Sequence, residues 1–265
     1  MTSPKHTIAA LMAMLIGAAG TGPGTYAAGP APRAKSPQVE VQIGLCSPID
    51  HIVHALELHP RGGPIEVWQF DDSAISLIAR GLRLRLRVAT DGRSELTLKV
   101  ANQDCAQLDS ILIPPGQGKC EYDVYGTDMA GAVSTAMAGV VSLNSKLDAR
   151  RTAELLAGHI EPPNVLSPSQ VRYLREIVGI WPLPDDIRRL GPMQVRTYRT
   201  KGSRYDVDIS QLPNGERYAE ISAKVAQPEA ISRIRAMKAE LDRAGVEMCA
   251  DQSSQAANKL RSLSR

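Results

Sequence analysis

In Leu82-Arg83-Leu84-Arg85-Leu86-Arg87 every second residue is arginine and the residues between are leucine. Side chains on a β-strand point alternately to its two faces, so this run reads as a strand with three guanidinium groups on one face and three leucines on the other. Three arginines in line with no acid between them repel one another. Their relief comes from water on a solvated outer face, from facing carboxylates or from a bound anion.

The neighbouring sequence extends the sheet. Asp91-Gly92 is a hairpin signal, and Ser94 to Val100 returns as the partner strand, with Glu95, Thr97 and Lys99 on one face. Val39 to Leu45, Ile65 to Phe70 and Cys120 to Tyr125 also read as strands. Ser47-Pro48 opens a short helix that runs to about Leu58. From Met129 to Ile180 the chain turns Ala- and Leu-rich and reads as a helical insertion, with a clear helix start at Ser167-Pro168. Strands resume at Met193 to Thr200, Tyr205 to Ile209 and Arg217 to Val225, the last two joined by Pro213-Asn214-Gly215. A final amphipathic helix after Pro228 uses Ile231, Ile234 and Leu241 as its apolar stripe and ends at Gly245. Strands, helices, strands and a helix in that order define an α+β protein with a mainly antiparallel sheet.

The amino end has a different character. Lys5 precedes an apolar run from Ile8 to Ala19 and then small residues up to Ala27-Ala28, the layout of a signal peptide over residues 1–28. Its apolar stretch is shorter than the roughly 20 residues that a spanning helix needs, so cleavage and export, periplasmic or secreted, are expected, with no membrane attachment afterwards; an uncleaved anchor shares this layout and is the less favoured alternative. The Pro-rich residues 29–37 form a linker. Residues 38–265 are then one domain. In an oxidising compartment Cys46, Cys105, Cys120 and Cys249 suggest two disulfides, for which three pairings exist. Cys105 and Cys120 bracket a turn-rich segment between two strand-like runs. A hairpin staple there is preferred, which leaves Cys46 with Cys249.

The formal net charge of the chain is only +3. That is too small to imply a nucleic-acid partner, so anion binding must come from local patterning. The patterning is present: besides the arginine strand, Glu121 and Asp123 share one strand, Arg196 and Arg199 another, Asp206 and Asp208 a third, and Glu220 and Lys224 a fourth. Strands of bases and acids in alternation suit a closed sheet with a charged lumen, the bases for phosphate oxygens and the carboxylates for Mg²⁺ or Mn²⁺.

The run Phe70-Asp71-Asp72, the turn after it, Ala79-Arg80-Gly81-Leu82, the Arg83/Arg85/Arg87 strand and Glu95-Leu96-Thr97-Leu98-Lys99 together resemble the CYTH domain of the triphosphate tunnel metalloenzymes. The likeness extends over residues 38–265 and includes the closing Leu241-Asp242-Arg243-Ala244-Gly245 and Asn258-Lys259-Leu260-Arg261. It implies a closed or nearly closed antiparallel barrel, eight-stranded in the family, with flanking helices and a tunnel in which bases grip a triphosphate and acids bind a divalent metal. Family members hydrolyse triphosphates, and a few cyclise ATP. Carried over by motif, the phosphate ligands are Arg83, Arg85, Arg87, Lys99, Arg196 and Arg199, and the metal ligands are Glu40, Glu121, Asp123 and Glu220.

The departures are specific. Where the family's opening strand has E-x-E-x-K, this chain has Glu40-Val41-Gln42-Ile43-Gly44, and its late strand reads Glu220-Ile221-Ser222 where a second acid is often found. Loss of one hard oxygen anion from each pair weakens Mg²⁺ or Mn²⁺ binding and control of an attacking water. The expectation is an exported protein that holds triphosphate or polyphosphate-type anions, with metal-dependent triphosphatase or polyphosphatase activity weakened. ATP cyclisation is the least expected activity, because nucleoside triphosphates are scarce outside the cytoplasm. The alternative is a non-catalytic, disulfide-stapled barrel for protein contacts, its arginines neutralised by its own acids. His51, His54 and His59 read as a solvated helix region, and Trp68 and Trp181 as packing residues.

Overall fold

The computed structural model describes residues 38–105, 108, 113–125, 139–202, 204–250, 252 and 255–263. The expected signal segment and linker, and residues 126–138, lie outside the described residues. The strands are β1 (Gln38–Leu45), β2 (His59–Pro60), β3 (Ile65–Asp71), β4 (Leu82–Ala89), β5 (Ser94–Gln103), β6 (Gly118–Tyr125), β7 (Gly139–Leu147), β8 (Arg188–Arg199), β9 (Asp206–Gln211) and β10 (Arg217–Ala226). The helices are α1 (Ile49–Ala55), α2 (Ser76–Ala79), α3 (Ala149–Ala157), α4 (Pro168–Tyr173), α5 (Ala230–Ala244) and α6 (Gln255–Leu263).

Nine strands close into a barrel in the order β8-β3-β4-β5-β7-β6-β1-β10-β9, with β9 pairing back onto β8 and the two-residue β2 lying on β8. The ladders are antiparallel except β1 with β6, which is parallel. The barrel is therefore mixed, and it has one strand more than the eight expected. No local turn ties β1 to β6, whereas each hairpin partner is held antiparallel by its short connection.

The extra strand corrects the helical reading of 129–180. Gly139–Leu147 is β7, seated between β5 and β6. Its Val141 and Leu143 are buried with the leucines of β4 and β5, while Ser142 pairs across with Lys99 and Lys119 on the opposite face. The Ala-rich residues before it hid the change of period. The helices that follow start where capping predicts: Asp148 accepts from the Arg151 amide, and Ser167 and Gln170 form a capping box.

The barrel is apolar outside and charged inside. Leu82, Leu84, Leu86, Leu96 and Leu98 face outward and pack under Leu155 of α3 and Tyr173 of α4. Each such burial contributes about 1.5–3 kcal/mol. The buried Gln170 amide donates to the Leu96 and Leu143 carbonyls and ties α4 to two strands. On the other side Val39, Val41 and Ile43 of β1 pack under Ile52 of α1 and Ile234, Met237 and Leu241 of α5. The stripe of α5 runs through Ala230, Ile234, Met237 and Leu241; Ile231, expected in it, lies one position off and is 37% exposed. With the leucines turned out to the helices, every arginine of β4 turns in.

The disulfides are Cys46–Cys249 and Cys105–Cys120, with Cα separations of 4.9 and 5.5 Å. The second is not a hairpin staple. The strands on either side of it, β5 and β6, are separated by β7, and the bridge passes over Gly139, where a Cβ would lie 2.8 Å from Cys105 Sγ. Ser47 does not cap α1; its hydroxyl accepts from the Glu247 amide and holds the chain after α5.

Candidate functional site

The lumen holds a cavity of about 570 Å³. Arg83, Arg85 and Arg87 line one wall. Register sets what lies beside them on the inner face of β5: Arg83 is opposite Lys99, Arg85 opposite Thr97 and Arg87 opposite Glu95. The Nε atoms of Arg85 and Arg87 and the Thr97 hydroxyl are buried without a hydrogen-bond partner. Among the described residues none of Arg83, Arg85, Arg87 and Lys99 has a carboxylate within ion-pair distance. Burial, then Arg87 and Arg83, push the Arg85 guanidinium well below its ordinary range. Burial, then Arg85 and Arg83, lower Lys99 to about 8. A cluster of buried cations without carboxylate partners has the chemistry to take an anion.

The facing wall is acidic. Glu40 on β1 is in register with Asp123 on the parallel strand β6, and Glu121 lies two residues before Asp123 on the same face. Carboxylate oxygens of Glu40, Glu121 and Asp123 all lie within 4.8 Å of one another. Burial raises Glu40 and Asp123 above the ordinary carboxylate range. Glu121, only 2% exposed, is also pushed up by burial, but its hydrogen bond to Lys119 and the charges of Lys119 and Lys224 prevail and lower it. Both oxygens of Asp123 and Oε1 of Glu121 are buried without a partner. Three close carboxylates with unpartnered buried oxygens fit a hard divalent cation, which takes oxygen ligands. Glu220 lies elsewhere on the wall, raised by burial and close to Lys259 and Asp208, and is not one of those three.

The remaining expected ligands divide. Arg196 is exposed on the outer face of β8 because its neighbours Val195 and Thr197 take the lumen side. Arg199 sits at the rim, its Nε 3.0 Å from Asp206, which also accepts from Arg61 at 2.8 Å. The three histidines form no metal cluster; the Glu40, Glu121 and Asp123 group is the only such cluster among the described residues. Trp68 carries Arg189 over its ring at 5.2 Å, and Trp181 packs with the outer leucine core.

Several lumen residues were not singled out from the sequence. Lys119 follows the same alternation as Glu121 and Asp123 on its strand and was legible by period, while Asp208, expected from its strand, stands opposite Thr197 and accepts a hydrogen bond from it. Arg61 comes from the irregular segment after β2, and Gln252 and Lys259 from the carboxyl end, where no periodicity marks a lumen side chain. Gln252 is buried and clasps the Gly44 backbone from both sides, accepting from its amide and donating to its carbonyl. Apolar Leu260 and Leu263 of α6 line the cavity beside Val67, Met193 and Val195.

No protein-family model matches the chain, and no curated protein sequence does. Solved structures do resemble it. A putative adenylyl cyclase of Hippeastrum, described as having a dominant triphosphatase activity, matches at a TM-score of 0.52 and 18% identity over 82% of this chain and 92% of that one. A putative adenylate cyclase of Bacillus halodurans matches at 0.51 and 12% identity, over 84% and 96%. At these identities the likeness is one of fold, and it agrees with the closed barrel, the inward arginine strand and the acidic wall: the chain has the CYTH, or triphosphate-tunnel, fold.

Proposed function

We propose that the protein is an exported binder of triphosphate or polyphosphate-type anions, with metal-dependent triphosphatase activity weakened relative to a full acidic set. The observation that carries this reading is the row Arg83, Arg85 and Arg87 with Lys99, turned into a closed lumen without a carboxylate partner. Planar guanidinium groups match phosphate oxygens two bonds at a time, and three of them in a row on one strand present donors along an extended anion. Thr97, buried and unpartnered, adds a hydroxyl donor between them.

Glu40, Glu121 and Asp123 are the residues that would hold Mg²⁺ or Mn²⁺, which in such sites polarises a phosphoryl oxygen. Gln42 and Ser222 line the same cavity and supply neutral oxygens where a stronger site would have carboxylates. The reading as a scaffold with internally neutralised arginines is disfavoured, since among the described residues no carboxylate forms an ion pair with Arg83, Arg85 or Arg87, Glu95 across from Arg87 included.

Titration with tripolyphosphate in a calorimeter, together with phosphate release with and without Mg²⁺ or Mn²⁺, tests the proposal. Micromolar or tighter binding with slow release is expected; absence of binding removes it. Export rests on residues 1–28. It is tested by fractionating cells that express the full chain or the chain without those residues, and retention of both forms in the cytoplasm would refute it.

A further inference from the structure

Two cations already stand in the acidic cluster. Lys119 Nζ lies 2.5 Å from Glu121 Oε2, and Lys224 Nζ lies 3.4 Å from the same oxygen and 4.0 Å from Glu40 Oε2. The sheet delivers both. Lys119 precedes Glu121 by two residues on β6 and shares its face, and Lys224 stands directly opposite Glu40 in the β1–β10 ladder. Their side chains are 44% and 46% exposed while that of Glu121 is 2% exposed, so the stems reach in from the water-accessible side and set their charges against a buried carboxylate.

A divalent ion would need Glu121 and Glu40 oxygens that these ammonium groups now face, and it would also meet two positive charges within a few ångströms. The two ammonium groups offset the charge of Glu121 and Glu40, which would otherwise be costly to bury, while the Asp123 oxygens stay without a partner. We propose that Lys119 and Lys224 are built-in counter-cations with which a divalent ion must compete for the Glu121 and Glu40 oxygens, so that the tunnel takes its polyphosphate anion without needing a metal. The inference deepens the anion-binding reading above and rests on it.

The test has two independent arms. In the first, the native protein is titrated with tripolyphosphate in EDTA and again with excess Mg²⁺. The expected dissociation constant in EDTA is equal to or lower than that with Mg²⁺, and binding that appears only with Mg²⁺ overturns the proposal. In the second, free Mn²⁺ is followed by electron paramagnetic resonance as it is titrated with the native protein, Lys224→Met and Lys119→Met. Each substitution is expected to tighten Mn²⁺ binding about fivefold or more, the effect of removing one nearby like charge in a partly hydrated site. Unchanged Mn²⁺ affinity in both variants overturns the counter-cation role. Should Lys119→Met fail to fold, the half-exposed Lys224→Met and the EDTA comparison still decide. If tripolyphosphate binds under neither condition, the anion reading falls, and the Mn²⁺ titration still shows whether the lysines hold the cluster.

Discussion

Arg83 and Lys99 stand directly opposite each other across the β4–β5 ladder, two cations facing one lumen. Like charges in that relation destabilise a sheet. The fold tolerates them because the other faces of the same strands bury Leu82, Leu84, Leu96 and Leu98 under the helices. The cost is therefore held in the site and offset in the outer core, and an anion entering the tunnel would relieve it.

Arg85 is the middle of the row, and its buried Nε has no partner. Arg85→Met should weaken tripolyphosphate binding by about 10- to 100-fold, the loss of one or two charge-assisted hydrogen bonds. The same variant should melt no lower than the native protein, since it removes an uncompensated buried cation. Arg196→Met, on the outer face, should leave the affinity within about twofold, because exposed charges at a distance are screened. Calorimetry on both variants decides, and equal losses would show that the row is not the binding surface.

Lys99 gives the site a pH dependence with a definite sign. In the free protein its amine sits at about 8, and a bound anion raises it. Affinity should then be full below pH 8 and fall as pH rises through that value, because binding must supply the missing proton. For folding without the anion the sign is opposite. The lowered folded-state value means that the unfolded chain binds more protons between about 8 and the ordinary lysine value, so this group favours folding as pH rises through that window. Lys99→Arg should flatten both trends in calorimetry and in thermal melts taken from pH 7 to 10.

The arginine row and most of the acidic wall were legible from the sequence because strand alternation is a local property. A residue's face follows from its position two places from a known one, and this held for Arg83 to Arg87, Lys99, Asp123 and Glu220. It misplaced Arg196, because Arg196 and Arg199 differ by three positions and a strand puts them on opposite faces. The parallel register of β1 with β6, which brings Glu40 to Asp123, joins residues more than eighty positions apart with no turn between them, so no local pattern could announce it. Lys259 and Gln252 reach the lumen only because the chain after α5 folds back over the barrel, a tertiary event.

The two disulfides should differ in what they contribute. Cys46–Cys249 joins residues 203 positions apart, and Cys105–Cys120 residues 15 apart. On the chain-entropy view the longer loop stabilises more, about 5 kcal/mol against about 3. Cys249→Ser should lower the urea midpoint more than Cys120→Ser, and it should also loosen Gln252, whose amide donates to the Cys249 carbonyl. Faster hydrogen exchange at the Gly44 amide, which donates to Gln252, would report that loosening. Equal midpoints in the two variants would refute the ordering.

Gly139 is the point at which β7 allows the second disulfide to cross it. A Cβ there would lie 2.1 Å from the Gln103 carbonyl oxygen and 2.8 Å from Cys105 Sγ, and the first of these is backbone with no freedom to swing aside. Gly139→Ala must therefore separate β7 from the end of β5 or shift the bridge, and a cost of about 2–4 kcal/mol is expected for overpacking at a fixed backbone contact. The damage should be local to that end of the barrel. Arg83 and Lys99 lie beyond the irregularity between Val100 and Gln103 in the β5–β7 ladder, so anion affinity should change little while the urea midpoint falls. Because the clash is with the Gln103 carbonyl as well as the sulfur, Gly139→Ala should remain destabilising when Cys105 and Cys120 are both replaced by alanine. If instead the penalty vanishes in that background, the bridge alone and not the strand contact requires glycine.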